Sequence, residues 1–106
     1  MISLPPEHLA TITAILAEHV PEAEVRAFGS RIGGTARQYS DLDLAIVGEK
    51  KVELRVMARL RDAFQESKLP FRVDLLDWRR ISPEFRARIE QNYVVIREAE
   101  KVTAAH

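Results

Sequence analysis

The chain has 106 residues, 46% apolar and 30% charged, with 16 basic side chains balanced by 16 acidic ones. That length fits one domain with a real core, and the composition is that of a folded globular protein, not a disordered chain. Zero net charge argues against strong nucleic-acid binding through bulk phosphate attraction, and the absence of cysteine excludes disulfides and thiolate metal sites while suiting a reducing cytoplasm.

Met1 to Pro6 carry neither a basic leader nor an apolar run, and nowhere do 18 apolar residues follow one another. Neither a signal peptide nor a membrane span is expected. Pro5-Pro6 suits a helix start, and Leu9, Ile12, Leu16 and Val20 then recur at helical spacing until Pro21 stops them. His8 and His19 are expected to be solvated on that helix, since no acid stands at ligand spacing from either. Glu24 to Phe28 reads as a short strand running into Gly29. Ser30 suits the cap of a short helix that Gly33-Gly34 ends.

Gln38-Tyr39-Ser40 leads into a second strand, Leu42 to Val47, closed by Gly48. Period-two alternation puts Leu42, Leu44 and Ile46 on one side, and Asp41, Asp43, Ala45 and Val47 on the other. An amphipathic helix is expected from about Lys51 to Ser67, with Leu54, Met57, Leu60 and Phe64 as its buried stripe. After Pro70 a third strand, Phe71 to Leu76, sets Phe71, Val73 and Leu75 against Arg72, Asp74 and Leu76. Ser82-Pro83-Glu84 is a helix start, with a capping hydroxyl and proline at the first position, and that helix runs to about Gln91. Tyr93 to Ile96 is a candidate last strand, and the tail from about residue 100 to 106 is expected to fray. Helices alternating with strands predict an α/β (α+β) domain spanning residues 1–106, a small mixed sheet of three to four strands flanked by helices.

Asp41 and Asp43 share a strand face, with Cα atoms about 6–7 Å apart, so both carboxylates can converge on hard cations. Asp74 is the natural third ligand if the two strands are neighbours. Three carboxylates about 4 Å apart repel by roughly 4 kcal/mol per pair at an effective dielectric near 20, so they call for a cation. Magnesium, which takes oxygen ligands and arrives with phosphates, is the expected one. A blander reading stays open: Asp41 as a turn acid after Ser40, and Asp43 as a polar residue on a solvated face. What favours chemistry is the glycine-serine turn 11 positions before Ser40-Asp41. Gly29 lets phosphate approach the backbone, Ser30 adds a hydroxyl donor and Arg31 a planar cation. The same stretch is no P-loop, because Thr35 stands where the lysine belongs.

Gly29-Ser30-Arg31, Gly34 and Ser40-Asp41-Leu42-Asp43-Leu44, followed by Val73-Asp74-Leu75, together resemble the signature of the minimal nucleotidyltransferases of the DNA polymerase beta superfamily. The resemblance runs from about residue 7 to residue 97 and implies a small nucleotidyltransferase fold. It implies that Gly29, Ser30, Arg31 and Ser40 contact the nucleotide, with ATP as donor. It further implies that Asp41, Asp43 and Asp74 bind Mg²⁺, and that Asp74 also helps activate the incoming hydroxyl.

Free-standing relatives of this size are similar to antitoxins that transfer AMP onto a tyrosine of a helical HEPN-family toxin. The chain's length points the same way, since it leaves no room for an added helical domain to hold an acceptor. A HEPN-type toxin is therefore the expected partner, with neutralisation by direct binding as the alternative. Trp78 is expected to be a core or covering aromatic, Tyr39 to pack locally, and Arg79, Arg80, Arg86 and Arg88 to be solvated.

Overall fold

The computed structural model describes residues 4–29, 32 and 41–100. In chain order these form α1 (Pro6–His19), β1 (Glu24–Phe28), β2 (Leu42–Val47), α2 (Leu54–Glu66), β3 (Val73–Asp77), α3 (Pro83–Glu90) and β4 (Val94–Arg97). The strands make one mixed sheet in the order β3-β2-β1-β4. β1 runs antiparallel to both β2 and β4, while β3 lies parallel to β2. A parallel pair needs a long crossover, and α2 supplies it.

The alternation in β2 decides which face is which. Leu42, Leu44 and Ile46 are fully buried and pack with Val25 and Ala27 of β1 and Val73 of β3 beneath α1 and α2, which contribute Ile12, Leu16, Met57, Leu60 and Phe64. Each large side chain so buried contributes about 1.5–3 kcal/mol, so this face fixes the strand register; a one-residue slip would turn Asp43 of β2 inward. The opposite face is covered only in part. There α3 lays Ile89 over Ala45 and Trp78, with Phe28, Val47, Leu76, Ile81 and Tyr93 around them. Ser82 caps α3 by accepting the Phe85 N–H at 3.1 Å, as its sequence predicts.

Several expectations are corrected. Leu54 is 70% exposed instead of buried, because α2 begins at Leu54 and not near Lys51. The residues before it are held extended, with Val52 N–H donating to Asp77 Oδ2 at 2.8 Å, so the buried stripe starts one turn later at Met57. β3 is displaced towards Asp77, whose partner in the register is Ile46. Asp77 is buried and accepts from Val52 N, Arg79 N and Arg80 Nε.

The arginines that follow Asp77 are not idle either. Arg79 donates to the Gly48 carbonyl, Arg80 to the Val52 carbonyl and Arg86 to the Trp78 carbonyl. His8 and His19 are half-buried: His8 meets the Phe71 ring edge-on, and His19 Nδ1 lies 2.9 Å from the Ile15 carbonyl. Glu100 is tied down by its N–H to the Pro21 carbonyl and by Arg97; the rest of the tail, 101–106, lies outside the described residues. No described helix is long and apolar enough to cross a membrane.

Candidate active site

At one end of the sheet, β1 ends where β2 begins and β3 starts alongside. Phe28 is the cross-strand partner of Asp43, and Asp43 is the register partner of Asp74. Residues directly opposite in neighbouring strands point to the same side, so Asp43 and Asp74 both face away from the core beneath α1 and α2. The expectation that the third strand lies beside the second therefore holds.

Gly29 follows Phe28 with a φ of +86°, in the region that favours glycine. Its carbonyl accepts the Ile32 N–H at 3.0 Å, closing a tight turn. The turn lies against Asp43 itself: a Cβ at position 29 would fall 2.3 Å from Asp43 Oδ2. Glycine is thus required twice here, by the backbone conformation and by the carboxylate occupying the space of a side chain. On the flank, Phe28 meets Phe85 of α3 edge-to-face, with ring centroids 6.1 Å apart. Deeper on the same face, the Arg26 guanidinium lies 4.8 Å from the Trp78 ring centre and 4.6 Å from that of Tyr93. Trp78 is a buried covering residue, as expected, and its ring is occupied by that stack.

The three acids are not equivalent. The Asp43 carboxyl is held above the usual carboxylate range, first by burial and then by the charges of Asp74 and Asp41, with Arg72 partly offsetting them. Asp41 and Asp74 are shared by Arg72, whose Nη2 lies 3.1 Å from Asp41 Oδ2 and whose Nε lies 3.2 Å from Asp74 Oδ1. The two carboxylates in turn raise the pKa of Arg72, Asp74 more than Asp41. Among the described residues, no three acids or imidazoles stand close enough in this arrangement to hold a metal ion.

The donor set nevertheless suits magnesium. It consists of carboxylate oxygens only, and two of its members already hold a positive charge, the Arg72 guanidinium, between them. Ser30, Arg31 and Ser40, with Gly33, Gly34 and Tyr39, lie outside the described residues. Arg72 is the residue that sequence reasoning passed over as a contributor. The signal was present, because Arg72 stands two positions before Asp74 and so shares its strand side.

A family model described as polymerase beta, nucleotidyltransferase matches residues 10–101. The chain belongs to this nucleotidyltransferase family. The domain is 53% identical over 95 residues to a Haemophilus influenzae protein described as a probable protein adenylyltransferase, MntA, with 90% of this chain and 83% of that one covered. Two solved structures share the nucleotidyltransferase fold. One is a toxin–antitoxin with AMP-PNP (TM-score 0.72, 22% identity, 87% of this chain and 74% of that one). The other is the tri-AMPylated Shewanella oneidensis HEPN toxin in complex with MNT antitoxin (TM-score 0.66, 20% identity, 88% and 71% covered).

Proposed function

We propose that this nucleotidyltransferase is an antitoxin that transfers AMP from ATP to a hydroxyl, that of a tyrosine, on a partner HEPN-type toxin. The single observation that carries the assignment to these residues is the pairing of Asp43 with Asp74 in register, directly beside the Gly29 turn. The relative at 53% identity, described as a protein adenylyltransferase, supports the choice of a protein acceptor.

Residues 1–106 act in this reading as one nucleotidyltransferase domain, working in the cytoplasm where ATP is available. Gly29 admits the triphosphate to the backbone, and Ser30, Arg31 and Ser40 contribute donors to it. Asp41, Asp43 and Asp74 would hold Mg²⁺, which when bound would offset the charge gathering on the attacked phosphoryl group and the departing oxygen. Asp74 orients the acceptor hydroxyl and takes its proton as the oxygen attacks the α-phosphorus in line. The bond from that phosphorus to the bridging oxygen breaks, and pyrophosphate leaves on the Gly29 side. Fixed charges aimed at the charge that develops are the main source of rate here.

Toxin neutralisation is compared for wild-type antitoxin and Asp43→Asn, each with and without ATP and Mg²⁺. The catalytic reading expects neutralisation that needs nucleotide and fails in Asp43→Asn. Equal, nucleotide-independent neutralisation by both proteins would establish the alternative, an antitoxin that works by covering its partner.

A further inference from the structure

Arg72 has a fixed base and an exposed arm. Its carbonyl accepts the Leu42 N–H at 2.9 Å, which locks its backbone to the start of β2. Its side chain is 72% exposed and can leave the acids without giving up packing. As it stands, the guanidinium engages both oxygens of Asp74, through Nε to Oδ1 at 3.2 Å and Nη2 to Oδ2 at 3.4 Å, while Nη2 also reaches Asp41 Oδ2 at 3.1 Å. A planar fork of donors on two carboxylates uses the same lone pairs that a divalent cation would take.

We propose that Arg72 is the resident counter-cation of this acid cluster, that a divalent metal and the guanidinium exclude one another from Asp41 and Asp74, and that Arg72 thereby sets the site's affinity for the metal. The proposal rests on the reading of Asp41, Asp43 and Asp74 as metal-binding acids. Its physical basis is repulsion: without a cation, three carboxylates at one sheet end push apart. An arginine reaching back along its own strand offsets that charge until the metal-bound nucleotide arrives. The arm then swings out, and the metal site is complete only after it has left. Arginine suits the task because its two-pronged grip orients both acids, whereas a lysine ammonium would supply only a point charge.

The test is equilibrium binding of Mn²⁺ alone to the full chain at low ionic strength. Free Mn²⁺ is followed by electron paramagnetic resonance for wild type, Arg72→Gln, Arg72→Lys and Asp43→Asn, and thermal melts of each are recorded with and without the ion. The expected result is that Arg72→Gln binds Mn²⁺ roughly three- to tenfold tighter, the scale of one exposed competing ion pair plus relief of like-charge repulsion. Arg72→Lys should fall between it and wild type. Metal-free Arg72→Gln should melt below wild type, and saturating Mn²⁺ should close that gap. Unchanged or weaker binding by Arg72→Gln overturns the proposal. Equal Mn²⁺ binding by wild type and Asp43→Asn would instead overturn the metal reading of the acids, and the two failures are told apart by which variant departs from wild type.

Discussion

Replacing Gly29 by alanine separates what the turn does for the fold from what it does for chemistry. The added Cβ meets two penalties. The left-handed backbone at φ +86° costs a non-glycine residue about 1–2 kcal/mol. The Cβ also falls 2.3 Å from Asp43 Oδ2, where ordinary contact begins at 3.4 Å, so about 1 Å of movement is needed. What stands in the way is the end of a short side chain and not backbone. Asp43 can therefore rotate aside, and the stability cost stays near the backbone figure. For a domain of this size that is a fall in melting temperature of roughly 4–16 °C, at about 4–8 °C per kcal/mol.

Chemistry is less tolerant than folding. A reacting or ligating group displaced by about 1 Å can lose about a hundredfold in rate. The assay pairs a thermal melt with AMP transfer from α-labelled ATP to purified partner toxin. Gly29→Ala should remain folded and lose about two orders of magnitude in transfer. Transfer within a few-fold of wild type would refute the argument that this turn and Asp43 form one site, and complete unfolding at room temperature would refute the stability figure.

Asp43→Asn should abolish transfer yet stabilise the metal-free protein at neutral pH, seen as a higher melting temperature in chelator. The sign follows from the raised pKa of Asp43. The folded protein holds this proton more tightly than the unfolded chain, so stability is lost as pH rises from the ordinary carboxylate value through the raised one. Melts of wild type and Asp43→Asn across that window should diverge with wild type falling; the opposite divergence contradicts the assignment. Asp77→Ala leaves Val52 N–H without its buried acceptor and should cost about 1–3 kcal/mol by urea unfolding, without changing Mn²⁺ affinity, since Asp77 stands at the far end of β3. Trp78→Ala should cost about 3–5 kcal/mol in the same measurement, because it empties the space between Arg26 and α3.

Much of this architecture could be read from residue spacing. The alternation of Leu42, Leu44 and Ile46 against Asp41 and Asp43 foretold both the core face and the acid face, because burying three large aliphatic side chains leaves β2 one usable register. Pro6, Pro21, Ser82 and Pro83 marked helix ends through local backbone chemistry that depends on no distant contact. Legibility failed where tertiary pairing decides. The true start of α2 depends on Val52 bonding to Asp77, 25 positions away, and propensity around Lys51 carries no trace of that bond. The hold of Arg72 on Asp41 likewise spans 31 positions and exists only once β3 lies beside β2. The arginines after Trp78 looked like a solvated charge run, and three of them instead bond main-chain carbonyls that the sheet and helix ends leave over.

The central claim is that these carboxylates drive covalent transfer of AMP to a protein. Intact-mass spectrometry of the partner toxin, after incubation with this chain, ATP and Mg²⁺, tests it most directly. The toxin should gain the mass of one or more AMP groups with wild type and none with Asp43→Asn. An unmodified toxin that is nonetheless neutralised by wild type would contradict the account.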